Sequence, residues 1–189
     1  YRNFMILPTD IAAEGEADNT PLAAGFTLKY TDQFEAKANK TAKIVRSLKY
    51  KKALKEGRDY SVSVTDESGQ NIELTQGKLP LNAGGYILIV TGKGNYTGTV
   101  IRKLYVAEKQ KLMKNASVTY AKTVKAENAE ALSKGIEQTN IKVKIGRQEI
   151  PEDSYTVDYA DTNHAVGTAA MILTGKNGYV GTKRVTFKI

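Results

Sequence analysis

The sequence has no cysteine and no tryptophan, a single histidine, His164, and four prolines in 189 residues. Without cysteine there is no disulfide framework and no thiolate metal site. A zinc site would have to be built from His164 and carboxylates alone, and a Ser-His-Asp triad would have to use that one histidine. His164 stands in Asp161-Thr162-Asn163-His164, a turn-like stretch with no nucleophile motif beside it. Long apolar runs are missing too. Phe4-Met5-Ile6-Leu7 is too short for a signal-peptide core, and no run of 18 apolar residues exists to span a membrane. No membrane contact by this segment is expected. The chain opens at Tyr1 and closes on strand-like Val185-Thr186-Phe187-Lys188-Ile189, which reads as a segment of a longer protein.

What is present is ordinary globular material, 41% hydrophobic and 25% charged. The formal charge is +8, spread evenly: 15 Lys/Arg against 11 Asp/Glu in residues 1–107, and 13 against 9 in residues 108–189. A nucleic-acid-binding chain would show a dense basic run or stripe, so no nucleic acid is expected as a partner. The densest cluster is Lys49, Lys51, Lys52 and Lys55, read as a solvent-facing strand and turn.

The main signal is self-similarity. Residues 88–99 read L-I-V-T-G-K-G-N-Y-T-G-T and residues 171–182 read M-I-L-T-G-K-N-G-Y-V-G-T, at an offset of 83. Upstream, Asp59-Tyr60-Ser61-Val62 matches Ser154-Tyr155-Thr156-Val157 at an offset of 95, so the first copy carries 12 extra residues before Gly84. Residues 1–24 match nothing in the second copy. In each copy an alternating stretch, an apolar run, a Gly-rich turn and a second alternating stretch follow in order. Strand, glycine loop, strand is a β-hairpin. Gly92, Gly94, Gly98, Gly175 and Gly181 are read as structural turn residues. Tyr96 and Tyr179 are expected to fold back over the core with the hydroxyl tied to backbone.

A phosphate-binding loop over Gly92–Gly98 is disfavoured, because a strand rather than a helix follows and the Lys-Ser/Thr of a nucleotide loop is missing. Asp158, Asp161 and Asn163 lack the spacing of a calcium loop. No catalytic residue, metal ligand or cofactor is assigned, and no enzyme is expected.

The resulting fold class is all-β: two tandem Ig-like antiparallel β-sandwich modules with short strands and regular turn signals. The first, 1–107, has an extra N-terminal segment and the 12-residue insertion; the second is 108–189. Glu35 to Val45 and Lys125 to Gln138, rich in Ala, Lys and Glu, favour a loop or a short helix in each module, with Ala129, Leu132 and Ile136 at helical spacing. Arg2 to Leu7 is a candidate extra strand, and Ala12 to Pro21 a loop.

Leu54-Lys55-Glu56-Gly57-Arg58-Asp59-Tyr60 and Thr91-Gly92-Lys93-Gly94-Asn95-Tyr96-Thr97-Gly98-Thr99 resemble the text of the Ig-like repeat modules carried by cell-surface proteins of Firmicutes, many from gut organisms. The second copy is looser, with Ile150-Pro151-Glu152-Asp153-Ser154-Tyr155 and then Thr174 to Thr182. The resemblance implies export, a place on the cell surface or wall, and a monomeric spacer or adhesion segment. Its partners would be the rest of the parent protein and a host glycan or matrix protein. The alternative is a glycan-binding module of a secreted or wall-attached enzyme. That alternative expects Tyr1, Phe4, Phe26, Tyr30, Phe34 and Tyr50 to line up on one exposed face. The insertion is the expected place for a ligand-specific loop.

Overall fold

The computed structural model describes residues 7–15 and 19–189. Strand is the predominant regular structure among them, and the fold is all-β and sandwich-like. The chain divides into two compact units, Tyr1–Val106 and Ala107–Ile189.

The first unit contains eleven strands among its described residues: β1 (Thr9–Asp10), β2 (Phe26–Tyr30), β3 (Gln33–Glu35), β4 (Thr41–Ala42), β5 (Val45–Tyr50), β6 (Lys52–Ala53), β7 (Tyr60–Asp66), β8 (Leu79–Pro80), β9 (Gly84–Gly92), β10 (Tyr96–Thr97) and β11 (Thr99–Ala107). One sheet has the order β3-β11-β9-β7, another β2-β5-β6. Period-two patterning builds the interior. In β9, Tyr86, Leu88 and Val90 are buried while Ile87 and Ile89 are half-buried. Val64 of β7 and Val100 and Leu104 of β11 join them, and Phe26, Val45 and Leu48 come from the other sheet. Phe26 lies opposite Tyr50 across β2 and β5, and the two rings stack at 4.4 Å.

The segment 65–83, which carries the 12 extra residues, is woven into this unit. The Asp66 Oδ1 accepts from the Ser68 amide at 2.9 Å, the Ser68 hydroxyl at 2.6 Å and the Gln70 amide at 2.9 Å, which turns the chain at the end of β7. The Ile72 amide then donates to the Val64 carbonyl at 2.8 Å, back along β7. Leu79 and Leu81 enter the core, and β8 pairs with β4. That pairing settles Glu35 to Val45. Its composition favours a helix, but the stretch is strand, turn and strand. Lys37 donates to the Leu81 carbonyl and Leu81 to the Lys40 carbonyl, and Ile44 and Val45 are buried. Cross-strand bonds and buried β-branched side chains outweigh local propensity here.

The second unit contains β12 (Ala116–Thr119), α1 (Ala129–Lys134), β13 (Lys142–Ile145), β14 (Gln148–Glu149), β15 (Tyr155–Tyr159), β16 (Thr168–Gly175) and β17 (Thr182–Lys188). Its sheets are β12-β13-β14 and β15-β16-β17. Here the expected short helix forms. Asn128 caps it by accepting from the Ala131 amide at 2.8 Å, Glu130 pairs with Lys134, and Gly135 ends it. Leu132 and Ile136 pack with Ala169 and Phe187. A buried Gln138 ties this region down. Its amide group accepts from the Ala121 N–H at 3.0 Å and donates to the Ala121 carbonyl at 2.8 Å, as a backbone bridge would. The Gln138 backbone N–H donates to the Tyr159 hydroxyl at 2.7 Å. A buried amide satisfied this way stabilises rather than penalises.

The candidate strand Arg2 to Leu7 lies outside the described residues apart from Leu7, which is exposed. The strand found nearby is β1, which pairs with β10 in parallel. Residues 1–24 match nothing in the second copy as text, yet their backbone bonding has a counterpart there. The Ile11 amide donates to the Thr97 carbonyl at 3.0 Å, and the Met113 amide donates to the Val180 carbonyl at 3.0 Å. Thr97 and Val180 are 83 residues apart, and Ile11 and Met113 are both fully buried. The correspondence is one of backbone bonding with no shared letters.

Candidate functional site

The glycine loop of each unit leaves one long strand and returns on the next. In the first unit Thr91 faces Thr99 across β9 and β11, and the Gly92 amide donates to the Gly98 carbonyl at 2.9 Å. A Cβ on Gly92 would lie 2.6 Å from the Thr97 carbonyl oxygen, so the chain can fold back there only without a side chain. In the second unit Thr174 faces Thr182, and Gly175 donates to Gly181 at 3.0 Å. A Cβ on Gly175 would lie 2.7 Å from the Tyr179 carbonyl carbon. Gly98 and Gly181 sit at φ +81 and +78 respectively, where other residues are strained.

The tips differ, and the order of two letters explains why. Tyr96 donates to Lys93 at 3.1 Å and Tyr179 to Lys176 at 3.1 Å, so each tip is a four-residue turn. In Lys93-Gly94-Asn95-Tyr96 only Gly94 has positive φ (63), the pattern of a type II′ turn. In Lys176-Asn177-Gly178-Tyr179 both central residues do (52 and 89), the pattern of type I′. A strand follows each loop, as a turn reading requires.

Ring packing holds the two loop tyrosines. Tyr96 is half-buried and meets Phe26 and Tyr50 edge-on at 6.0 and 6.5 Å. Tyr179 is buried, with the Lys111 ammonium 4.6 Å from its ring centre. The hydroxyl-to-backbone bond expected of them is made in the first unit by Tyr86, whose hydroxyl donates to the Asn82 carbonyl at 2.8 Å.

Against the first loop lies the turn 55–59. The Lys93 amide donates to the Asp59 carbonyl at 2.9 Å. The Asp59 carboxylate accepts from Arg58 Nε and Nη2 and from the Lys55 amide, each at 2.8 Å. The residue is buried, 8% exposed. The Arg58 guanidinium, and after it the Lys55 amide, hold its carboxyl down at about 2. Between the two turns a cleft of about 400 Å³ is lined by Lys52, Arg58, Asp59, Gly94, Asn95 and Tyr96. The sequence text Glu56-Gly57-Arg58-Asp59-Tyr60 was legible as a motif, but nothing in it signalled that Arg58 clamps its own neighbour beside the glycine loop.

The other candidate groups are placed as follows. His164 is exposed, with Nδ1 3.0 Å from the Ser133 carbonyl oxygen. Asn163 is buried and donates to the Ile136 carbonyl at 3.3 Å, while Asp158 and Asp161 are exposed. Lys49, Lys51, Lys52 and Lys55 are all exposed around the β5–β6 turn, and the Lys51 ammonium lies 5.5 Å from the Tyr50 ring centre. Phe26 and Phe34 are buried, and Tyr30 and Tyr50 half-buried, so these four form no exposed aromatic face; Tyr1 and Phe4 lie outside the described residues. The tip of the 12-residue insertion, 67–71, is exposed. Among the described residues no helix is long and apolar enough to cross a membrane. No protein-family model matches the chain, and no curated protein is similar to it.

Proposed function

We propose that this chain is a non-catalytic spacer and adhesion segment of a larger bacterial surface protein of the Firmicutes type, built from Ig-like modules and displayed outside the cell. The observation that supports it most is the use made of the glycine loops. In both units the loop amide at Lys93 or Lys176 is spent on the carbonyl at the start of the neighbouring strand, Asp59 or Ser154, at 2.9 Å. Gly92 and Gly175 close the hairpin neck. The tight backbone of the glycine loops therefore fastens the end of each sandwich to itself. A rigid scaffold of that kind suits a protein that presents surfaces at a distance from the cell.

The test is to screen the full chain against arrays of host glycans and matrix proteins, with mass spectrometry of each bound ligand. Binding without conversion is the expected result for an adhesion segment, and silence on every array favours a pure spacer. Release of a cleaved or transferred product would overturn the reading in favour of an enzyme.

A further inference from the structure

The cleft beside the first glycine loop lies where the second unit, with a matching loop, places a side chain across the turns. The offset of 83 places Asn177 where the first unit has Gly94, and Gly178 where it has Asn95. The offset of 95 places Asp153 where it has Arg58, and Ser154 where it has Asp59. The Asn177 side-chain amide donates to the Asp153 carbonyl at 2.8 Å, spanning the gap between the two turns. Gly94 has no side chain to do this, and a Cβ placed there would lie 3.3 Å from the Arg58 carbonyl oxygen. The space filled by Asn177 in one unit is thus open in the other.

The chemistry of the walls is specific. Lys52 and Arg58 are cationic, and the one carboxylate, Asp59, is already engaged by two guanidinium nitrogens and a backbone amide. The same bonds fix Arg58 in place, although most of its side chain faces solvent at 63% exposure. A guanidinium held by a buried acid is a preorganised anion receptor, since less freedom is lost on binding. Asn95 adds an amide that both donates and accepts, and Tyr96 adds an aromatic wall braced by Phe26 and Tyr50. Ligand pockets run from about 300 to 1,000 Å³. At about 400 Å³ this one suits a mono- or disaccharide unit better than a long chain segment.

We propose that the cleft between turns 55–59 and 93–96 binds an acidic saccharide, a sugar ring carrying a carboxylate or phosphate. The anionic group sits at Lys52 and Arg58, the hydroxyls meet Asn95, and the ring lies against Tyr96. The inference builds on the adhesion reading by naming its ligand class, and a chain that fails this test can still be a spacer.

The test is a titration of the full chain followed by two-dimensional NMR. The probes are a glucuronate-containing disaccharide, glucose 6-phosphate, inorganic phosphate and maltose. The expected result is a saturable response to one of the acidic sugars, confined to Lys52, Arg58, Asn95 and Tyr96, with Asp153, Asn177 and Tyr179 unmoved. Which acidic sugar binds tells carboxylate from phosphate. Lys52→Glu weakens that binding by about tenfold or more, the scale of one lost charge-assisted contact. The double variant Gly94→Asn/Asn95→Gly gives the turn 93–96 the second unit's own text and abolishes binding while the fold is kept. Equal responses to inorganic phosphate, shifts spread over the lysines of both units, retention of binding in both variants, or no response to either acidic sugar at millimolar concentration would each overturn the proposal.

Discussion

Ile11 donates its backbone amide to the carbonyl of Thr97 at 3.0 Å, and its side chain is fully buried. The residue therefore serves twice, as a strand partner of the glycine loop and as core. Ile11→Ala is expected to destabilise the first unit by about 2–5 kcal/mol through a lost side chain and the cavity left behind. Met113→Ala should do the same to the second unit. Amide exchange read residue by residue separates the two. If exchange at Thr99–Ala107 is no faster in the Ile11 variant, the Ile11 side chain is dispensable to the core of the first unit.

The necks of the two loops leave no room for a methyl group. Gly92→Ala and Gly175→Ala each push a Cβ into backbone, 2.6 Å from the Thr97 oxygen and 2.7 Å from the Tyr179 carbonyl carbon. Overpacking of this kind costs about 1–3 kcal/mol. Gly69→Ala supplies the control, because a Cβ there meets nothing within 4 Å and only its φ of +86 is strained. Thermal melts in which the neck variants fall no further than this control would sink the close-approach argument.

Acid should weaken the turn beside the first loop in a defined window. The Asp59 carboxyl is held at about 2, below the ordinary value of ~3.9 for Asp. Its ionised form therefore favours the folded state fully above the ordinary value. That contribution fades as pH falls from ~4 towards about 2. Urea midpoints of the wild type and Asp59→Asn should differ most at pH 7 and converge near pH 2. A gap that stays constant with pH would show that the Arg58 pairing contributes through shape alone.

The segment 65–83, which carries the 12 extra residues, should behave as core and surface in separate parts. Leu79→Ala removes a fully buried side chain and is expected to lower stability by about 2–5 kcal/mol. Glu73→Ala, at an exposed position, should change it by less than about 0.5 kcal/mol. Similar effects from the two would mean that the segment is not packed as described.

The hairpins and their glycine necks were legible because their constraints are carried by letters. Only glycine tolerates the approach at positions 92 and 175, alternation marks β7 and β11, and an apolar run marks β9. The helix Ala129–Lys134 was legible through its Ala, Lys and Glu content and the helical spacing of Ala129, Leu132 and Ile136, whereas its Asn128 cap and Gly135 stop came only with the structure. Glu35 to Val45 misled, since its Ala and Lys content says helix while the pairing of Thr41 and Ala42 with Pro80 and Leu79 is non-local. The match of Ile11 to Met113 was invisible because backbone pairing needs no particular residue. Gln138 was equally silent, since a glutamine that copies a backbone bridge looks like any polar residue. The Arg58–Asp59 clamp was written as two adjacent letters, whose bidentate geometry appears only once the Lys55 turn folds.

The parallel pairing of β1 with β10 has a consequence for a chain held at both ends. β1 lies at the N-terminal side of its unit, and β10 leads directly into the last strand, β11. Tension along the polypeptide would draw β1 and β10 past one another lengthwise, loading the Thr9–Asn95 and Ile11–Thr97 bonds together in shear instead of peeling them apart in turn. The bridge from Leu112 to Val180 gives the second unit the same parallel arrangement. Single-molecule pulling should then record high rupture forces for both units, and Ile11→Pro, which deletes one of the loaded donors, should turn the first unit from a shackle into a zip.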